Sequence, residues 1–161
     1  MPKLRMLAVA ISTVAIAAAF APVVRAAAGD SVTGFGRLTV AGVTATVSVS
    51  AHGDADGSNP SGVIRVDWPD VVTGVADVSC MLVEDNEAVV GGVLRRPIPV
   101  PGDPGEFYRY LLVWVTDNGS LSEGPDGWNV GVVLPGFPEP SCTNPGGAGS
   151  NEAGNLTVRD N

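Results

Sequence analysis

The stretch Val43-Thr44-Ala45-Thr46-Val47-Ser48-Val49-Ser50-Ala51 alternates without a break. Val43, Ala45, Val47, Val49 and Ala51 share one face of an extended chain, and Thr44, Thr46, Ser48 and Ser50 share the other. A period of two is what a half-buried strand requires. The same signal recurs beyond it. His52 to Gly62 is rich in Gly, Asp, Ser and Asn and reads as a loop, after which Val63 to Trp68 forms the next strand and Pro69 ends it. Val71 to Val83 puts Ala76, Val78, Cys80 and Leu82 on one side. The turn Glu84-Asp85-Asn86 then hands the chain to Ala88 to Leu94, completing a hairpin.

Four prolines and two glycines between Arg96 and Glu106 predict an exposed connection without regular structure. Tyr108 to Thr116 is the most apolar strand, with Tyr108, Tyr110, Leu112 and Trp114 on one face and Leu111, Val113 and Val115 on the other. Apolar residues on both faces predict a central position. Asp117-Asn118-Gly119 is a turn signal, Trp128 to Leu134 another strand, and Pro135 to Gly154 a Pro/Gly-rich loop that carries Cys142. Leu156 to Arg159 makes a short last strand, expected to pair beside the first near Phe35 to Val40. No segment beyond residue 28 has a helical period. The expectation is an all-β fold, a single antiparallel sandwich or barrel of about seven or eight strands, preceded by a signal-peptide helix.

That helix comes from the first 28 residues. Lys3 and Arg5 precede an uncharged, mostly apolar run from Met6 to Val24, and Ala26 and Ala28 supply the small-residue pattern a signal peptidase reads. The reading is a Sec-type signal peptide over 1–28 and a secreted domain over 29–161, with cleavage after Ala28, or after Ala26 as the second choice. A run of this length also suffices for a retained membrane anchor. No Cys stands near the site for lipid attachment, and no Arg pair precedes the apolar run.

Cleavage would leave six arginines, no lysine and all seventeen acidic residues, a net charge of −11 against −8 for the whole chain. A domain this acidic is repelled by phosphate backbones and anionic lipid headgroups, so neither nucleic acid nor a membrane surface is expected as a partner. Cations, neutral glycans and basic proteins remain, and an extracellular glycan or protein is the partner left open. About 133 residues is one domain's worth of chain. Cys80 and Cys142 make an even count in a chain bound for an oxidising compartment, which predicts a disulfide. The bridge would close a loop of about 62 residues, which corresponds to roughly 4 kcal/mol of stability on the chain-entropy model. A metal site on the two thiols finds no second His or Cys to complete a ligand set.

Several segments carry a resemblance in their order: Thr33-Gly34-Phe35-Gly36-Arg37; Val78-Ser79-Cys80 followed by Asn86, Ala88, Val89 and Gly91-Gly92; Val115-Thr116-Asp117-Asn118-Gly119 with Asp126; Cys142; and the closing Gly154-Asn155-Leu156-Thr157-Val158. The set resembles an uncharacterised family of secreted bacterial β-domains, over essentially all of the chain beyond residue 28. The resemblance implies the β-fold and the pairing of Cys80 with Cys142, and it implies no activity.

His52 is the single histidine, and any Ser-His-Asp or zinc chemistry must pass through it. No G-x-S-x-G elbow accompanies it, so a hydrolase would need His52 in a cleft beside a Ser or a carboxylate. Asp54 and Asp56 alternate in a Gly-containing loop, and Asp117 and Asp126 bracket a second loop with Asn118 and Glu123. Oxygen ligands so spaced are how calcium is often held, and the same residues are ordinary turn formers. Trp68, Trp114, Trp128, Tyr108 and Tyr110 offer either a sugar-stacking platform or core. The expectation is a non-enzymatic structural or interaction module, with a calcium-supported carbohydrate- or protein-binding module as the alternative and a hydrolase third. No cofactor is expected unless it is calcium.

Overall fold

A computed structural model describes residues 29–40, 42–119, 126–143 and 153–160. The expected signal-peptide helix and its cleavage site lie outside them. The chain forms β1 (Ser31–Val40), β2 (Val43–His52), β3 (Ser61–Trp68), β4 (Val72–Glu84), β5 (Glu87–Val100), β6 (Asp103–Thr116), β7 (Gly127–Val132) and β8 (Ala153–Arg159). All neighbours are antiparallel, in a single sheet ordered β7-β6-β5-β4-β3-β2-β1-β8. The sheet curls into a half-barrel, so the fold class is all-β as read from the alternation. No helix among the described residues is long and apolar enough to cross a membrane.

The alternating stretch behaves as its pattern dictates. Ala45, Val47, Val49 and Ala51 are buried on the concave face, together with Val32 and Leu38 of β1 and Ile64 and Val66 of β3. Valine and alanine side chains are short, and the curl brings the sheet's own concave surface close enough for them to fill it. Near the seam where β7 approaches β1, the fully buried Trp128 supplies the bulk. Its indole lies over the cross-strand pair Gly36 and Gly154, and a Cβ added to Gly36 would fall 2.6 Å from the ring nitrogen. Two glycines on one face are what makes room for the ring. β8 pairs with β1 from Ser31↔Arg159 to Arg37↔Ala153, as expected for a terminal strand that must find a partner.

Three sequence-based expectations are corrected. In β4 the register slips between Val78 and Cys80, so Met81 and Val83 take the buried positions that strict alternation from Ala76 and Val78 would have given to Cys80 and Leu82. One extra residue in a strand reverses the facing of all that follow it. The Pro-rich segment is not irregular: β5 runs to Val100 and β6 starts at Asp103, giving a hairpin arm. The prolines fit because β5 has no β4 partner beyond Leu94, so that flank needs no N–H donors, and the register breaks around Leu94 to Pro97 absorb the misfit. The arm is mostly exposed, as composition predicts.

The third concerns β6, which lies one strand in from the β7 edge and not at the centre of the order. Leu111, Val113 and Val115 do face the core, and Tyr108 joins them. The convex-side residues Leu112 and Trp114 are half-buried for a different reason. After β7 the chain turns back toward Cys142, which is disulfide-bonded to Cys80 on β4. Cys80, Gly91 and Leu112 lie abreast on β4, β5 and β6, and a Cβ on Gly91 would strike the Cys80 sulfur and crowd the Cys142 sulfur and the Leu112 side chain. The disulfide therefore pins a strap across the convex face.

Candidate functional site

One end of the half-barrel gathers the start of β1, the β2–β3 loop, the β4–β5 turn, the residues that follow β6 and precede β7, and the end of β8. Four of the aspartates singled out in the sequence lie here, in two arrangements. Asp54 and Asp56 stay within the β2–β3 loop. Asp54 accepts hydrogen bonds from the Ser58 hydroxyl (3.1 Å) and the Asn59 side-chain amide (2.7 Å), and Asp56 accepts from the Ser58 backbone N–H at 2.9 Å. The Ser58 bonds hold the Asp56 carboxyl below its ordinary pKa. Gly57 has φ +74° and sits so close to the Met81 carbonyl that a side chain there would collide with it, so the loop is docked on β4.

Asp117 and Asp126 do something else. The Asp126 carboxylate accepts from the backbone N–H of Leu156 at 2.8 Å and of Asn118 at 3.2 Å, and Asp117 accepts from Val158 at 2.9 Å and Gly119 at 2.8 Å. Leu156 and Val158 are alternate residues of β8, whose other edge is paired with β1. An outer strand presents a row of unused amides, a template for unwanted pairing. Two carboxylates, one from each side of the β6–β7 connection, occupy two of those amides with charge-assisted bonds. Asn86 extends the arrangement, since its backbone carbonyl accepts from Asp117 N–H (2.8 Å) while its side-chain amide donates to the Asp117 carbonyl (2.9 Å). Asp160 accepts from the Asp85 N–H at 3.0 Å. The turn residues Asn86, Asp117-Asn118-Gly119 and Asp126 and the closing Leu156 to Val158 thus meet in a single clasp.

Among the described residues, no group of three or more His, Cys, Asp or Glu side chains is placed to hold a metal ion. Glu123 lies outside them. His52 stands exposed at the end of β2, where its Nε2 shares a 2.9 Å hydrogen bond with the Ser61 hydroxyl opposite it on β3. The pair lines none of the clefts described below, and among the described residues no carboxylate bonds the ring to complete a triad.

The opposite end is built differently. The turn Leu134-Pro135-Gly136-Phe137 is closed by a hydrogen bond from Phe137 N–H to the Leu134 carbonyl at 3.3 Å, with Gly136 at φ +82°. Proline followed by a left-handed glycine is the signature of a type II turn. The turn holds Leu134 and Phe137 out at 57% and 63% exposure, beside Phe107 of β6 at 37%. Between them lies a shallow cleft of about 130 Å³ whose rim includes Glu106, Arg109 and Tyr110. Among the described residues five large apolar side chains are exposed, and three of them meet here.

A fourth, Phe35 at 58% exposure, stands on the convex face of β1 in a groove of about 450 Å³ with Arg37, Thr46, Ser48, Arg65 and Asp67. Of the aromatics proposed for stacking, Tyr108 and Trp128 are core, and Trp68, Tyr110 and Trp114 are half-buried. The exposed rings are all phenylalanines. Sequence reading missed them, although Leu-Pro-Gly-Phe, a turn dipeptide between two large apolar residues, is a legible signal at 134–137. No family model, curated protein or solved structure matches the chain.

Proposed function

We propose that the protein is an exported, non-enzymatic interaction module that offers the Leu134–Phe137 turn to a partner protein. The carrying observation is the exposure of Leu134 and Phe137 on a turn whose backbone is fixed, beside Phe107. Exposed apolar clusters rimmed by polar groups mark sites of association, and fixing them before binding lowers the ordering cost. The cleft beside them is too small to bury a drug-sized ligand, whose pockets run to about 300–1,000 Å³. A protruding turn suits insertion into a partner's apolar pocket, with Arg109 and Glu106 meeting charges at its rim. The Cys80–Cys142 bridge is compatible with an oxidising compartment and accords with export. The reading calls on no cation and no catalytic group.

A photoreactive residue at Pro138 identifies the partner by crosslinking, and the purified partner is then titrated against the wild type and Phe137→Ser. Binding weakened about tenfold or more in the variant is the expected result, because one buried aromatic anchor is worth a kcal/mol or more. Equal affinity of the two chains would refute the reading. Mass spectrometry of the external fraction tests export: a first residue at Gly29 is expected, and a chain still starting at Met1 in the membrane fraction contradicts it.

A further inference from the structure

We propose that the convex groove around Phe35 is a second, independent site, and that it binds a short acidic sugar through paired recognition of a carboxylate and an apolar ring face. The cross-strand rows place the groups. Phe35, Ser48 and Arg65 lie abreast on β1, β2 and β3, and Arg37, Thr46 and Asp67 form the adjoining row. All point to the face opposite the core, and all line one groove. Among the described residues no strap crosses the exposed ring of Phe35, unlike Leu112 under the disulfide.

Charge sets the ligand class. Arg95 is held by Asp77 in a salt bridge at 2.7 Å, but neither Arg37 nor Arg65 makes an ion pair among the described residues. Two guanidinium groups line the groove against a single carboxylate, that of Asp67, so its side chains carry a net positive charge that an external anion can meet. A planar fork matches a carboxylate with two parallel N–H donors. Asp67, already accepting from the Thr73 hydroxyl at 2.8 Å, and the hydroxyls of Thr46 and Ser48 supply hydrogen-bonding partners for sugar hydroxyls. The C–H face of a sugar ring stacks on an exposed aromatic ring as apolar surface.

The high net negative charge argues against a long polyanion laid across the molecule, and it does not exclude a short one here. The exposed acids Asp54, Asp56, Glu84 and Asp85 gather at the far end of β2, β3, β4 and β5, strands eight to fourteen residues long. Half of such a strand is about 15 Å, longer than the ~8–10 Å over which salt screens exposed charges. The ligand expected is therefore a uronate oligomer of a few rings.

The test uses trigalacturonate and its methyl ester, which keeps the rings and removes the charges, titrated into the folded, disulfide-bonded protein with amide NMR as readout. Trigalacturonate is expected to shift β1, β2 and β3 amides and to bind about tenfold more tightly than the ester, the size of one charged hydrogen-bonded contact. Arg37→Gln and Arg65→Gln should each weaken it about fivefold or more, and raised salt should weaken it further. Phe35→Ala should weaken acid and ester alike. All three side chains are exposed, so unchanged circular dichroism is expected to confirm folding of the variants. Equal binding of acid and ester, binding unaffected in the Arg37→Gln/Arg65→Gln double variant, or no amide shifts at millimolar trigalacturonate would each overturn the proposal. Phe137→Ser leaves this site intact, so the two surfaces fail or succeed separately.

Discussion

The two ends of the half-barrel are made from the same kind of material, loops rich in Gly, Pro, Asp and Asn, and they use it oppositely. At the β8 end, polar side chains turn inward onto backbone N–H and C=O groups: Asp117 and Asp126 hold β8, Asn86 holds Asp117, and Asp160 holds the β4–β5 turn. At the arm end, a turn of Pro and Gly holds apolar side chains outward, and the Pro-rich hairpin projects beyond its β4 neighbour. The first end closes the fold against further pairing. The second keeps surface available at no cost to the core, and the strap pinned by Cys142 joins the two, since it leaves the arm end and crosses the convex face to β4.

Breaking the strap has the largest expected effect on this contrast. Cys80→Ser/Cys142→Ser should lower the unfolding free energy by about 4 kcal/mol, as the chain-entropy model gives for a loop closed across 62 residues. Urea unfolding with a free-thiol count measures it, and two titratable thiols in the wild type would contradict the bridge itself. The clasp comes next. Asp126→Ala leaves the half-buried amides of Leu156 and Asn118 without their acceptor and should cost about 2 kcal/mol, the range for hydrogen bonds to charged groups. The variant also frees a sheet edge, so a rise in concentration-dependent association should accompany the loss.

The arm end should respond in the opposite sense. Phe137→Ser should leave the unfolding free energy within about 0.5 kcal/mol of the wild type, as exposed positions do, while weakening partner binding. A large loss of stability there would mean that Phe137 belongs to the core and not to a presented surface.

The smallest expected effect is at the Asp77–Arg95 pair. Hydrogen bonds from Arg95, and to a lesser degree its charge, hold the Asp77 carboxyl below the ordinary carboxylate range. A lowered folded-state pKa means that any stabilisation is present above the ordinary value and fades as pH falls through the lowered one. Both side chains are more than half exposed, so solvent screens the interaction. Asp77→Asn should therefore leave the acid limb of the pH–stability curve indistinguishable from the wild type. A clear shift of that limb would show the pair to be worth more than its exposure allows.

Local pattern carried the strands whose two faces differ in polarity. β2 was legible from its alternation because one face meets the core and the other meets water. Tyr108 to Thr116 was legible as a strand but not in its place, because the covering of its second face comes from the disulfide-bonded strap, some thirty residues further along the chain. The facing of Cys80 and Leu82 was lost to a single bulged residue that leaves no mark in hydrophobicity. Asp117 and Asp126 were recognisable as turn formers, yet their role depends on amides thirty to forty-one positions away. A turn reads the same whether its carboxylate faces water, a cation or the edge of another strand. The turn at Leu134-Pro135-Gly136-Phe137 is legible from its Pro-Gly pair, but the exposure of its two apolar side chains is a property of the folded chain.

The contrast between a closed end and an open one is most directly tested by native-state hydrogen exchange on the Leu156 and Val158 amides. Although these lie on the side of β8 that pairs with no strand among the described residues, they should exchange as slowly as the amides β8 donates to β1, and Asp117→Ala/Asp126→Ala should accelerate them selectively. Rapid exchange of both amides in the wild type, at the rate of an unprotected edge, would contradict the account.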